Sequence, residues 1–170
     1  MSLPDLRIVP LADGHDRAAF SSGIESLDRY LHTQARQDLR RKANAVFVLG
    51  THDTPSRILG YYTLCSLALA LGDVPAAARK HVPRYPQVSA TLLGRLAIAR
   101  EMQGRKLGTV LLADTLRRAF ESAGTVGSSM VVVDALNEAA AGFYESYGFV
   151  RLSDSRRLIL PMVQAGEAAL

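Results

Sequence analysis

The passage from Thr91 to Ala123 constrains this chain most. A strand-like run, Thr91 to Ala99, leads into the glycine-punctuated residues Gln103-Gly104-Arg105-Lys106-Leu107-Gly108, and an apolar helical run follows from Gly108 to Ala123. A small loop feeding a helix N-terminus offers free backbone N–H groups and the positive end of the helix dipole. Together these can cradle a pyrophosphate. Glycine-rich turns also serve as plain strand-to-helix connections, so the loop alone leaves both uses open.

Around this unit, strand-like and helical runs interleave. Strands are expected at Leu6 to Pro10, Ala45 to Gly50, Arg57 to Leu71, Ser129 to Ala135, Phe149 to Leu152 and Arg156 to Met162. An early helix is expected from the capping-box spacing of Ser22 and Glu25, and from Ile24, Leu27, Leu31, Ala35 and Leu39 at helical spacing. Asp38 is a misfit in that apolar stripe. A later helix covers Glu138 to Tyr147, with Gly148 placed to cap it. Between Gly72 and Ser89, Pro75, Pro83 and Pro86 indicate a loop with one short helix, Ala76 to His81. The expected fold class is therefore an α/β or α+β sheet domain. With 170 residues, one domain over residues 1–170 can bury a proper core.

Composition narrows the function classes. The single cysteine excludes an intramolecular disulfide framework and suits a reducing cytoplasm. Cys65 lies in a strand-like run and is read as a buried core residue rather than a nucleophile. No apolar run is long enough to span a membrane, and the N-terminus lacks a signal-peptide pattern. A formal charge of +4 permits a nucleic-acid partner without requiring one. His15, His32, His52 and His81 show no metal-ligand spacing among themselves or with Cys65, so chemistry without a metal is expected.

Leu92-Leu93-Gly94-Arg95-Leu96-Ala97-Ile98, the glycine loop, the helix after it, and Gly142-Phe143-Tyr144-Glu145-Ser146-Tyr147-Gly148-Phe149 occur in that order. This arrangement resembles the GCN5-related N-acetyltransferase superfamily, whose acyl-CoA loop reads Gln/Arg-x-x-Gly-x-Gly/Ala. Gln103 and Gly108 match, whereas Lys106 stands where glycine is usual. A left-handed backbone at Lys106 would be strained. The resemblance implies a mixed, mostly antiparallel sheet flanked by helices and splayed at the acyl-CoA strand. It also implies acetyl-CoA as co-substrate, bound by Leu96, Ala97 and Ile98, by Gln103, Gly104, Arg105, Lys106, Leu107, Gly108 and Thr109, and by Phe143. Asn137 could join them or simply cap the helix that follows.

A narrower resemblance covers nearly the whole chain. Phe20-Ser21-Ser22-Gly23-Ile24-Glu25-Ser26-Leu27-Asp28, Gly60-Tyr61-Tyr62-Thr63-Leu64, Pro83-Arg84-Tyr85-Pro86, Leu93-Gly94-Arg95-Leu96-Ala97 and Leu160-Pro161-Met162 look like the acetyltransferase toxins of bacterial type II toxin–antitoxin systems. The resemblance implies acetylation of the α-amine of aminoacyl-tRNA, a block of translation, and neutralisation by a ribbon-helix-helix antitoxin. A homodimer is in keeping with such relatives.

The residues accommodate that chemistry. Aminolysis of a thioester needs a neutral amine, a polarised carbonyl and a proton for the departing thiolate. An α-amine, with a pKa of about 7.7–8.0, is partly neutral near physiological pH, whereas a lysine amine at about 10.4 is almost wholly protonated. The absence of a clear general base thus favours an α-amine acceptor. Tyr144 is the candidate general acid. On a helical wheel Ala139, Ala140, Phe143 and Tyr147 share the arc expected to face the core, and Tyr144 falls about 85° from its centre, at the flank. A rim aromatic with no chemical role is the alternative.

Candidate tRNA contacts are basic. Arg29, His32, Arg36 and Arg40 share the polar face of the early helix, and Arg79, Lys80, His81 and Arg84 cluster in the proline-bearing loop. Either set could hold phosphate, hold an antitoxin or be a solvated face. Arg95 could contact substrate phosphate or support the sheet. Two other functions remain open at this point: acetylation of a small amine or protein N-terminus, and acyl-CoA or partner binding without catalysis.

Overall fold

The computed structural model describes residues 5–153 and 155–168. Its strands are β1 (Leu6–Pro10), β2 (Ala45–Thr51), β3 (Gly60–Ala70), β4 (Gln87–Ile98), β5 (Met130–Asp134), β6 (Val150–Arg151) and β7 (Arg157–Pro161). They form one mixed sheet in the order β1-β2-β3-β4-β5-β7-β6. The helices are α1 (Glu25–Arg29), α2 (Ala35–Arg40), α3 (Ala76–Arg79), α4 (Leu107–Ala123), α5 (Glu138–Glu145) and α6 (Met162–Ala168). Antiparallel pairing joins β1 to β2, β2 to β3, β5 to β7 and β6 to β7, while β4 and β5 run parallel. The β4–β5 register runs only from Ala90↔Met130 to Leu93↔Val133, although β4 continues to Ile98. β4 thus continues beyond its last residue paired to β5.

By compactness the chain divides into two units, Met1–Leu64 with Arg95–Leu112 and Cys65–Gly94 with Ala113–Leu170. In the first, Leu31, Leu49, Tyr61, Tyr62 and Leu111 are fully buried. The early helix is not one regular helix. A π-helical turn, Tyr30–Gln34, separates α1 from α2. The extra residue in that turn rotates the apolar stripe. Tyr30 and Leu31 are therefore buried side by side, whereas Ile24 is 37 % exposed and Leu27 and Leu39 are half-buried.

The expected capping box does not form. Ile24 occupies the cap position without a side-chain hydrogen bond. Ser22 is instead held by Asp28, whose Oδ1 accepts from its backbone N–H (2.8 Å) and its hydroxyl (2.7 Å). Asp38 is no misfit. It accepts hydrogen bonds from the Tyr30 hydroxyl (2.8 Å), the Gln34 amide (2.9 Å) and the Asn44 amide (3.0 Å).

In the second unit, Val88, Ala90, Met130, Val132 and Ile159 pack with Val74, Ala78 and Val82 from the proline-bearing loop. Cys65 is half-buried rather than a fully buried core residue. The buried face of α5 also differs from the wheel expectation. Ala141 and Tyr144 are buried, while Ala139 is exposed and Ala140, Phe143 and Tyr147 are half-buried. A tyrosine ring withdraws far more apolar area from water than a methyl group, so Tyr144, not the alanines, sets the inward face. Beyond α5, Gly148 takes a left-handed φ of +94° where the chain turns into Phe149.

Candidate active site

In the first unit, the chain leaves β4 through a tight 3₁₀ turn, Arg100–Met102, pinned by the buried Met102 side chain. Gln103 then braces the loop. Its amide Nε2 donates to the Ser22 carbonyl (2.8 Å) and the Ile98 carbonyl (3.0 Å), tying the loop to both the early segment and the end of β4. Gly104 has φ +81° and Lys106 φ +60°. The anticipated strain at Lys106 is therefore present, in a conformation that costs an L-residue about 1–2 kcal/mol.

The backbone N–H groups of Gly104, Arg105 and Lys106 donate to no backbone oxygen among the described residues. Directly after them, Leu107 is buried at the first turn of α4, with Gly108 and Thr109 half-buried behind it. Unpaired donors ahead of a seventeen-residue helix are what an anion cradle needs. The arrangement fits the pyrophosphate of acetyl-CoA, with Lys106 and Arg105 adding exposed positive charge.

The end of β4 is locked as well. Ala97 is buried, Leu96 and Ile98 are half-buried, and the Ala99 N–H donates to the Leu59 carbonyl at 2.8 Å. Arg95 turns onto the early helix, its guanidinium carbon 3.5 Å from the Tyr30 ring centroid. Such a cation–π contact supports the packing of β4 against this helix and holds the charge in a fixed place. Arg100 was not singled out from the sequence. A Cβ built on Gly23 would meet the Arg100 guanidinium at 2.9 Å, so Arg100 lies across that glycine. Ser21, Gly23, Asp28, Arg29, His32 and Arg100 line a groove of about 380 Å³ there. The Ser22-Gly23 pair ahead of the helix was the available signal.

In the second unit, Tyr144 projects from α5 among Phe143 (ring centroids 5.2 Å apart) and Phe149 (5.6 Å), both edge-on. It is 5 % exposed, yet its hydroxyl is not among the sealed, unpartnered polar atoms of the described residues. Burial pushes its phenol well above the usual tyrosine value, so it carries its proton at neutral pH. A protonated phenol on a buried ring is a suitable donor toward a leaving thiolate. Asn137 acts as the helix cap, its Oδ1 accepting from the Ala140 N–H at 2.9 Å.

The basic candidates separate by partner. Arg29 is paired with Glu25, and Arg36 Nε lies 3.1 Å from Asp13 Oδ1. His32 contacts the Phe20 carbonyl through Nε2 at 2.8 Å. Arg40 and Arg84 are exposed. No described group of His, Cys, Asp or Glu could hold a metal ion, and no described helix is long and apolar enough to cross a membrane.

The sequence pattern of the acetyltransferase (GNAT) family matches residues 19–149. The tRNA-acetylating toxin of Mycobacterium tuberculosis (strain ATCC 25618 / H37Rv) is 35 % identical over 156 residues, 91 % of this chain and 91 % of that protein. Among solved structures, AtaT complexed with acetyl-methionyl-tRNAfMet superposes with a TM-score of 0.86 at 32 % identity, covering 96 % of this chain and 98 % of that one. A mutant AtaT toxin bound to the C-terminus of the antitoxin AtaR and acetyl-CoA gives 0.80 at 32 % identity, covering 96 % and 97 %. The matched span takes in β4, the amide cradle, α4 and the helix bearing Tyr144, and the chain belongs to the acetyltransferase (GNAT) family.

Proposed function

We propose that this protein transfers the acetyl group of acetyl-CoA to the α-amine of aminoacyl-tRNA, and so acts as a toxin that blocks translation. The 35 % identity to a tRNA-acetylating toxin over nine-tenths of both chains carries this reading. Acetyl-CoA supplies an activated thioester. In this reading the N–H groups of Gly104, Arg105 and Lys106 hold its pyrophosphate, Leu96 to Ile98 at the end of β4 bind its pantetheine arm, and Phe143 contributes a contact to the co-substrate. As the amine nitrogen forms its bond to the acetyl carbon, the carbon–sulfur bond breaks. Tyr144 then gives its proton to the departing sulfur, while the amine proton passes to solvent. Asn137 adds a hydrogen bond to the co-substrate only through the amide nitrogen that capping leaves unused.

An antitoxin of the ribbon-helix-helix class, encoded alongside, completes this reading, together with a homodimeric, cytoplasmic enzyme. A neighbouring gene for such a protein should restore growth when co-expressed.

Tyr144→Phe tests the chemical assignment. With charged tRNA as acceptor, turnover should fall by about 10²–10⁴-fold, the usual contribution of a positioned general acid. Acetyl-CoA binding by calorimetry should stay unchanged. Turnover like that of the wild type in this variant would remove Tyr144 from the mechanism.

A further inference from the structure

The proline-bearing loop of the second unit has an outer surface that the reaction above does not use. Its underside is fixed. Val74, Ala78 and Val82 are buried in the core cluster, and the Leu71 N–H donates to the Pro86 carbonyl at 3.0 Å. Arg79 commits its guanidinium to the Val74 carbonyl, Nη2···O 2.8 Å.

The outer side is different in character. Tyr85, between Arg84 and Pro86, is 67 % exposed, with Arg84, Lys80 and His81 exposed on the same loop. No acidic residue occurs between Asp73 and Glu101. None of Lys80, His81 and Arg84 forms an ion pair among the described residues. Elsewhere Arg29, Arg36, Arg57, Arg117, Arg151 and Arg157 each pair with a carboxylate. Pro83 and Pro86 restrict the backbone on either side of Tyr85, which lowers the ordering cost of presenting its ring. An exposed aromatic ring on a loop that also carries the unneutralised cations Lys80 and Arg84 suits an unpaired base, which stacks on the ring while the cations hold its phosphates.

We infer that Tyr85, with Arg84 beside it, is a stacking platform for an unpaired nucleotide of an RNA strand. Resting on the function proposed above, that nucleotide belongs to the single-stranded 3′ end of the acceptor tRNA.

The test is fluorescence anisotropy with uncharged tRNA labelled at its 5′ end, intact or lacking its single-stranded 3′ nucleotides. The wild type should bind the intact form more tightly. Tyr85→Ala should weaken binding of the intact form by about 5- to 150-fold and leave the trimmed form unchanged, while Tyr85→Phe, which keeps the ring, should behave as the wild type. Arg84→Ala should lower the slope of log affinity against log salt by about one unit's worth of phosphate contact. Unchanged binding of intact tRNA by Tyr85→Ala would overturn the platform. So would equal losses on both forms, which would mean a duplex contact or a general effect on the loop, or no binding of either form by the wild type. If the expected pattern appears but no acetyl group reaches charged tRNA, the platform stands and the proposed reaction falls.

Discussion

Lys106 holds a left-handed backbone, φ +60°, at a position where a side chain is a burden. Replacing it with glycine removes about 1–2 kcal/mol of steric cost and adds about 0.5–1 kcal/mol of unfolded-state entropy. Lys106→Gly should therefore stabilise the fold by about 0.5–1 kcal/mol and raise the thermal midpoint by about 1–4 °C. The lysine charge also lies beside the cradle. The same variant should bind acetyl-CoA more weakly at low salt, with the difference fading at high salt as screening sets in. A lowered midpoint, or an affinity gap indifferent to salt, would show that the side chain has a different task. At this scale the sequence was legible. The glycine-loop departure at Lys106 is visible as a letter, and its consequence follows from φ/ψ sterics alone. The bracing by Gln103 was not, because its acceptors, Ser22 and Ile98, are carbonyls that any residue would provide.

At the scale of elements, the early helix shows where periodicity fails. The stripe of Ile24, Leu27, Leu31, Ala35 and Leu39 located the helix, but a wheel of fixed pitch cannot reveal a π-helical turn at Tyr30–Gln34. That turn makes Tyr30 a core residue, stacked near Tyr61 (ring centroids 6.4 Å) and beneath Arg95. Asp38, a polar misfit on the wheel, receives the Tyr30 hydroxyl. The α5 wheel misplaced Tyr144 for a related reason, since it weighed alanines equally with an aromatic ring. The Phe143-Tyr144 motif, not the wheel, is what singles the residue out in the sequence.

Asp38 also makes the element sensitive to acid. Its hydrogen bond from Gln34, followed by those from Tyr30 and Asn44, holds its carboxyl below the usual aspartate value. A depressed carboxyl contributes stability that is present above the unfolded value of about 3.9 and is lost as pH falls through the folded value. Asp38→Asn should thus be less stable than the wild type at pH 6, and the gap in thermal midpoint should close as pH falls below about 4. A gap that stays constant from pH 6 to pH 3 would separate Asp38 from this acid response.

At the scale of the whole molecule, a net charge of +4 conceals an uneven distribution. The helical arginines Arg29 and Arg36 are paired with Glu25 and Asp13, while Lys80 and Arg84 form no ion pair among the described residues. The sequence showed both clusters and could not rank them, because ion pairing depends on which carboxylates the fold brings near. The order of the strands was legible, with boundaries shifted by a few residues, as with β4 starting at Gln87 rather than Thr91, whereas α6 was not anticipated, because the closing run was read as a strand up to Met162. The proposed donor has a sequence counterpart too, since a glycine-punctuated loop ahead of a helix offers amides suited to phosphate. The acceptor was not. No residue pattern spells out an aminoacyl ester, and that assignment rests on similarity to tRNA-acetylating relatives. It is tested most directly by incubating the protein with charged total tRNA and acetyl-labelled acetyl-CoA, then identifying the labelled product. Label is expected on the α-amino group of an amino acid still esterified to tRNA, and is expected to be lost in Tyr144→Phe. Label on a free small amine or a protein N-terminus, with none on any charged tRNA, would contradict it.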